Sequence, residues 1–166
     1  MSILIRYTRF LIFKCIHQGV TMKKIIAILL AGILSVSAFA DNNELASQAI
    51  KIGFAKVTAA PAGGNTHAYM HFTNTSDDGH TIIAAMSPDA MQAQLHTFVT
   101  VQGKPVEVLI HSLPIEADKY LYLSKKRENI ALLGLNKALS AGTKTPITVI
   151  YRDGSYQTVQ ADVVSS

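Results

Sequence analysis

The sequence predicts an all-β fold, built as one sandwich-like or small barrel-like domain. From residue 50 onward, short stretches alternate apolar and polar residues at period two, the spacing of strands with one buried face. Turn residues separate these stretches at intervals of about 8–12 residues, as in sandwiches and small barrels. No helix-period apolar stripe of useful length follows Ile50, so roughly eight or nine strands account for the domain.

A secretory signal peptide is predicted at residues 22–40. This segment, MKKIIAILLAGILSVSAFA, combines two lysines, a short apolar run and a small-x-small cleavage site. Residues 1–21 are interpreted as an upstream extension or a start-site artefact; an unusually long basic region or an uncleaved anchor is the alternative. Cleavage after Ala40 predicts a periplasmic or secreted protein that begins at Asp41 and is not inserted in the membrane.

Cleavage changes the composition from which partners are inferred. The full chain has 15 Lys and Arg and 11 Asp and Glu; five of the basic residues precede Asp41, so ten remain against eleven and the mature net charge is −1. Because no basic stripe remains, nucleic-acid and membrane-surface binding are not expected. The single cysteine, Cys15, is also removed, which excludes a disulfide scaffold.

Two segments of the mature chain are not assigned to strands. Residues 41–49 are interpreted as an N-terminal tether, and a turn or two of helix fits residues 42–50. Residues 87–92 carry a weak helix signal, because Ser87 is a good N-cap and Pro88 suits the first helical position.

Strands and tight turns are predicted to fill the domain proper, residues 50–166. The dipeptide Asp153-Gly154 is the strongest hairpin signal, and residues 102–105 predict a second hairpin loop. The polar run of residues 74–79 predicts a turn. The predicted strands are, in order, 50–54, 68–73, 80–86, 93–100, 106–112, 119–123, 147–151 and 156–164.

Sequence motifs of the common enzyme classes are not found. The chain has no nucleophile elbow, no phosphate-binding glycine loop and no His-Glu-x-x-His, and its mature part has no cysteine nucleophile. The adjacent Asp77 and Asp78 lie in a predicted turn, which explains them better than an acid–base pair does. The chain is therefore not expected to be an enzyme.

Histidines and methionines are the residues best suited to bind a ligand. Without thiols, imidazole and thioether groups can bind copper(I), provided that three or four of them converge. Met70 alternates with Ala68 and Phe72, which predicts a core position. By parity it lies on the face opposite His67 and His71, which are either a weak chelating pair or two histidines facing water. The other candidates are His80, His96, His111, Met86 and Met91.

A set of short motifs occurs in a fixed order between residues 68 and 149. They are Ala68-Tyr69-x-x-Phe72-x-Asn74-Thr75, Ser87-Pro88, Gln94-Leu95-His96, Leu133-Gly134-Leu135 and Leu139-x-x-Gly142-x-x-x-Pro146-Ile147-x-Val149. This pattern resembles that of the periplasmic PCu(A)C-type copper(I) chaperones and covers about two thirds of the mature domain. The resemblance implies a cupredoxin-like Greek-key β-sandwich, which agrees with the strand pattern.

The metal motif of that family is a histidine, ten residues, a methionine, twenty-one residues and then His-x-Met. His96 matches the first ligand, and the same spacing leads to Glu107. It then leads to Asn129 and Ala131, while Phe98 stands where a methionine often follows the first histidine. Carboxylate and amide oxygens are hard donors and alanine is none, so the preserved spacing favours at most a weak site for Cu(II) or Zn(II).

Two functions from different classes remain open. The resemblance implies an exported copper-chaperone-like protein that binds copper(I) or a related metal weakly or through a remodelled site near His96, with His111 as a candidate further ligand. Its partner would be a copper acceptor such as a cytochrome oxidase assembly component, and nothing in the sequence requires another cofactor. The alternative is a metal-free divergent β-sandwich that acts as a protein-binding or assembly module through its loops.

Overall fold

The computed structural model describes residues 44–165, which lie within one compact unit, Asn43–Ser166. The predicted signal peptide and the segment before it lie outside the described residues. Within 44–165, one short helix, α1 (Ala46–Ala49), precedes ten strands. The strands are β1 (Ile50–Thr58), β2 (Thr66–Asn74), β3 (His80–Met86), β4 (Ala90–Val101), β5 (Lys104–Leu109), β6 (Leu113–Ile115), β7 (Tyr120–Tyr122), β8 (Asn129–Leu135), β9 (Lys144–Tyr151) and β10 (Tyr156–Val164).

The ten strands belong to one hydrogen-bonded sheet that folds over into two packed layers. The strand order is β5-β4-β8-β2-β1-β10-β9-β3-β6, with β7 added alongside β2. The pairs are antiparallel except for β1 and β10, which run parallel. β3 and β4 lie far apart in this order yet contact each other, because the twisted sheet closes around its apolar face. The predicted all-β sandwich is therefore confirmed.

Alternation along β2 shows how the sequence builds the core. Every second residue from Thr66 to Asn74 is buried, and the residues between them are half-buried. Met70 and Phe72 are fully buried, and each such side chain contributes about 1.5–3 kcal/mol through the hydrophobic effect. The predicted core position of Met70 is confirmed, and the opposite face of β2 is the one that carries His67.

Two tight turns form where the sequence predicts them. β4 and β5 pair as far as Val101 and Lys104, which leaves Gln102 and Gly103 as a two-residue turn. Both turn residues have positive φ, 49° and 77°, as a type I′ turn requires. β9 and β10 form the second hairpin, whose turn contains Gly154 with φ 84°.

Strand β8 is the main element that the sequence did not predict. Its sequence, NIALLGL, is almost continuously apolar, and its first four residues are all buried. Because β8 lies between β4 and β2 inside the sheet, both of its faces are covered there and period-two alternation is lost. β6 was also missed, since three residues are too few to show a period.

The predicted helical turn at residues 87–92 is a single turn before a strand. The backbone N–H of Asp89 donates to Ser87 Oγ at 3.3 Å, so the capping contact is present. The chain then enters β4 at Ala90, which pairs with Leu135 of β8. Sheet pairing therefore overrides the local helix signal.

The described end of the predicted tether is packed against the domain. Ala46 and Ala49 are buried, and the backbone N–H of Ala46 donates to Asp153 Oδ2 at 2.7 Å. The N–H of Ser47 donates to Ser155 Oγ at 3.1 Å. These contacts make α1 part of the domain rather than a loose segment. No helix within residues 44–165 has the length and apolar character needed to cross a membrane.

Candidate metal centre

Four neighbouring strands bring the predicted motif positions to one face of the sheet. β5, β4, β8 and β2 lie side by side in that order. His96 on β4 is opposite Asn129 on β8, and Glu107 on β5 is opposite Phe98, two residues beyond His96. Cross-strand partners share a face, and so do residues two apart on one strand. The side chains of His96, Glu107 and Asn129 therefore lie on the same side.

These side chains meet at one atom, Oε1 of Glu107. Nδ2 of Asn129 donates to it at 3.0 Å, and Nδ1 of His96 lies 3.3 Å from it. A fourth group arrives from β2, because Nε2 of His67 lies 3.1 Å from the same oxygen and 3.4 Å from Oε2. The group of His67, His96, Glu107 and Asn129 is called the Glu107 cluster below.

Glu107 is a partly buried carboxylate held by polar neighbours. Its side chain is 28% exposed, against 16% for His96 and 36% for His67. Burial raises the pKa of Glu107, but the hydrogen bond from Asn129 and the two imidazoles together bring it below its ordinary value. Glu107 is therefore ionised at neutral pH and can serve as an anionic ligand.

Hydrogen bonds beside the cluster fix the orientation of the His96 ring. Nε2 of Gln94 donates to Gln92 Oε1 at 3.0 Å, which turns Oε1 of Gln94 toward His96. An amide oxygen can only accept, so Nε2 of His96, at 3.1 Å, is the donor. This contact holds the imidazole ring with Nδ1 toward Glu107.

Two buried polar atoms of the cluster lack hydrogen-bond partners. Nδ1 of His96 lies close to Glu107 Oε1 but is not hydrogen-bonded to it, and Oδ1 of Asn129 makes no hydrogen bond. Across the described part of the chain, Thr58 Oγ1 is the one further buried side-chain atom in this condition. An unpaired buried polar atom costs about 1–3 kcal/mol, and a bound ion is one way in which proteins satisfy such atoms.

The donor set suits a borderline ion better than copper(I). The cluster offers two imidazoles, a carboxylate and an amide but no sulfur, and Ala131, which is opposite both Gln94 and His67, offers no donor. No group of three His, Cys, Asp or Glu side chains within 44–165 is already arranged to hold a metal ion. The carboxylate of Glu107 lies between the two imidazoles, so a cation would have to displace its present contacts.

The predictions for the other histidines have different outcomes. His71 lies four residues after His67 on β2, about 13 Å away along the strand, so the two do not form a chelating pair. Neither simply faces water, because His67 contacts Glu107 and the ring of His71 stacks on Tyr122 with centroids 4.1 Å apart. His111 is exposed just beyond the end of β5, and its role as a ligand stays a prediction.

His67 is the cluster member that sequence reasoning missed. It lies outside the motif spacing, and its place follows from the pairing of β2 with β8, in which His67 is opposite Ala131. Parity correctly placed it on the face away from Met70, but nothing in the sequence named β8 as the neighbouring strand. Gln94, which orients His96, was named only as part of the motif Gln94-Leu95-His96.

Exposed aromatic rings lie near His71 on β2. Phe54, Tyr120 and Tyr122 are 42%, 67% and 42% exposed. Tyr120 packs edge-on to Tyr122 with ring centroids 5.2 Å apart, and Phe54 lies 6.0 Å from the ring of His71. These four residues are called the aromatic cluster. Exposed aromatic groups of this kind are typical of contact surfaces.

The sequence of the domain matches a protein family. Residues 49–163 match the family described as "Putative lipoprotein LpqE-like". A relative from Leifsonia xyli subsp. xyli (strain CTCB07), "Putative lipoprotein Lxx21020", is 31% identical over 115 residues, which cover 69% of this chain and 69% of that protein.

Solved structures with a similar fold include PCuAC domains and a protein of Deinococcus radiodurans. The copper-bound PCuAC domain from PmoF2 matches 71% of this chain and 94% of its own, with a TM-score of 0.60 and 18% identity, which shows the fold alone. The CuI form of DR1885 from Deinococcus radiodurans matches 75% of this chain and 83% of its own, with a TM-score of 0.57 and 29% identity. The predicted cupredoxin-like sandwich and the PCu(A)C-type resemblance are confirmed by these matches.

Proposed function

The chain belongs to the LpqE-like family, and from that premise we propose that it is an exported copper-handling protein of the cell envelope. In this proposal it binds copper or a related ion at the Glu107 cluster and passes the ion to an acceptor protein. The predicted signal peptide and the description of its relatives as lipoproteins support the envelope location.

The convergence of three motif positions carries this proposal. His96, Glu107 and Asn129 stand at three of the four positions of the PCu(A)C spacing, and their polar atoms meet within 3.3 Å of Glu107 Oε1. Packing alone does not account for the arrangement, because it leaves one polar atom of His96 and one of Asn129 buried without partners. The 29% identity to DR1885, a protein whose structure has been solved with CuI, supports copper as the ion.

Loose binding of copper(I) follows from the donors. Thioether sulfur suits copper(I), whereas the carboxylate of Glu107 and the amide of Asn129 suit harder ions. A weakly held ion passes readily to a partner with better donors, which is consistent with delivery to an acceptor such as a cytochrome oxidase assembly component.

A chelator competition titration tests the proposal. The purified exported protein is titrated with copper(I) under reducing conditions and with copper(II) in air, each against a chromophoric chelator. We expect one equivalent of copper per chain and its loss in His96→Ala. His71→Ala, on the same side of the sheet but in the aromatic cluster, is the matched control and should bind normally. Wild-type protein that binds neither form more tightly than the buffer does would contradict the proposal.

A second candidate function is favoured by the aromatic cluster. Three rings that are 42–67% exposed at one place suit a protein-binding module that needs no metal. In that case, partner capture from an envelope extract is lost in Tyr120→Ala and is unchanged in His96→Ala. Capture that collapses when a metal chelator is added would exclude this candidate.

A further inference from the structure

We propose that His67, which lies outside the family's metal motif, is a ligand of the bound ion and makes the Glu107 cluster a site for Cu(II) or Zn(II) rather than copper(I). This inference rests on the proposed function, because it requires the Glu107 cluster to bind metal. It goes further by adding a ligand from a fourth strand and by naming the class of ion.

The first step is the position of His67 next to Ala131. In the β2–β8 pairing His67 is directly opposite Ala131, the motif position that has no donor atom. Its Nε2 nevertheless reaches Oε1 of Glu107 at 3.1 Å, the same atom that Asn129 and His96 reach. A donor from the neighbouring strand thus serves the cluster where position 131 provides none.

The second step is that two buried polar atoms of the cluster have no hydrogen-bond partner. Nδ1 of His96 lies 3.3 Å from Oε1 of Glu107 but makes no hydrogen bond to it. Oδ1 of Asn129 is the second such atom. Buried polar atoms of this kind call for a partner, and a bound ion is one such partner. A cation bound among these atoms would give both of them a partner.

The third step is that, among the described residues 44–165, no sulfur atom belongs to the cluster. Met91 precedes His96 by five residues, about 17 Å along β4, and its side chain is exposed. Met70 is fully buried in the core on the face of β2 opposite His67. The cluster therefore offers two imidazole nitrogens with carboxylate and amide oxygens, a set that Zn(II) and Cu(II) accept and copper(I) does not favour.

The cluster is also accessible and oriented for binding. The side chains of His67 and Glu107 are 36% and 28% exposed, so an ion can enter from solvent on the β2–β5 side, whereas His96 is 16% exposed. Gln94 holds His96 through its other ring nitrogen, as outer partners commonly hold metal-ligating histidines.

The test compares two histidines of one strand. Exported wild-type protein, His67→Ala and His71→Ala are titrated with Zn(II) and Cu(II) against a chelator at pH 7, and with copper(I) in a parallel anaerobic series. Removing an outer partner of a metal site already costs about 10–100-fold in affinity, so loss of a direct ligand should weaken Zn(II) and Cu(II) binding at least that much. His71→Ala should stay within about twofold of wild type, since its ring stacks on Tyr122 and takes no part in the cluster.

A measurement on the unmodified protein guards against misfolded variants. In nitrogen-15 NMR spectra of the histidine rings, Zn(II) should shift the resonances of His67 and His96 and leave those of His71 in place. His67→Gln, which keeps a polar side chain of similar reach, provides a second variant and should also weaken binding.

The outcomes separate this inference from the proposed function. If His96→Ala abolishes binding while His67→Ala binds as wild type does, His67 is not a ligand and the proposed function stands. Tighter binding of copper(I) than of Cu(II) and Zn(II) by wild type would overturn the ion class and leave copper handling intact. Failure of wild type to bind any of the three ions would overturn both.

Discussion

The charge of Glu107 should stabilise the metal-free fold, and Glu107→Gln measures by how much. Its carboxylate accepts one hydrogen bond from Asn129 at 3.0 Å and contacts His67 at 3.1 Å. A hydrogen bond to a charged group contributes about 1.5–3 kcal/mol and one to a neutral group about 0.5–1.5 kcal/mol. Since the side chain is 28% exposed and partly screened, we expect Glu107→Gln to lower the free energy of unfolding by about 1–2 kcal/mol in total.

The pH dependence of this effect has a defined sign. The folded pKa of Glu107 lies below its ordinary value of 4.5, so the ionised side chain stabilises the fold above the unfolded pKa. That contribution is lost as the pH falls through the folded pKa. The difference in stability between wild type and Glu107→Gln should therefore be present at pH 7 and vanish in strong acid.

Urea denaturation with a metal chelator present measures this difference at each pH. Glu128→Gln is the matched control, because Glu128 has the same 28% exposure but only long contacts, 3.8 Å to Arg127 and 3.4 Å to Thr97. We expect it to change stability by less than about 0.5 kcal/mol. If Glu107→Gln were as stable as wild type at pH 7, the contacts of the carboxylate would not stabilise the fold, which would contradict this prediction.

Three further predictions concern the fold. Met70→Ala should lower the free energy of unfolding by about 2–5 kcal/mol in urea denaturation, because Met70 is fully buried, whereas Met91→Ala, at 78% exposed, should change it little. Gly134→Ala should lower the free energy of unfolding by about 1–2 kcal/mol, because Gly134 has a φ of +60°. Adding Met91→Ala to this variant should not restore the loss, since the Met91 side chain beside Gly134 is flexible and can move aside. Burial raises the pKa of Asp153, but hydrogen bonds from Ala46 and Ser155 lower it below its ordinary value. The ionised Asp153 side chain therefore stabilises the fold above the unfolded pKa, and this contribution is lost in acid. Asp153→Asn should speed amide hydrogen exchange at Ala46 at pH 7.

Local signals were sufficient for much of the fold. The turn at Gln102 and Gly103 and the hairpin at Gly154 were predicted because positions with positive φ in tight turns restrict the residues that can occupy them. Met70 was assigned to the core by alternation alone. β8 escaped prediction because a strand with both faces covered loses the alternation that identifies strands.

Part of the candidate site could likewise be predicted from local sequence, and part depends on contacts between distant segments. His96, Glu107 and Asn129 could be named from spacing, because that spacing is a property of one chain segment. His67 could not, since its approach to Glu107 depends on which strand lies beside β2 and on the pairing of His67 with Ala131. Register between distant segments is set by the packing of the whole core, and no short stretch of sequence carries it.

Register also explains why two similar histidines of β2 have different surroundings. His67 and His71 share one face of the strand, but β8 pairs with residues 66–68 and β7 pairs with residues 71–73. β8 places His67 beside the polar positions of the metal motif, and β7 places Tyr122 against His71. Because β2 is shared in this way, a shift of one residue in its pairing would turn both histidines into the core and Met70 to the surface. The burial of Met70 and Phe72 opposes that shift, so the same apolar side chains that stabilise the sandwich also hold His67 at Glu107.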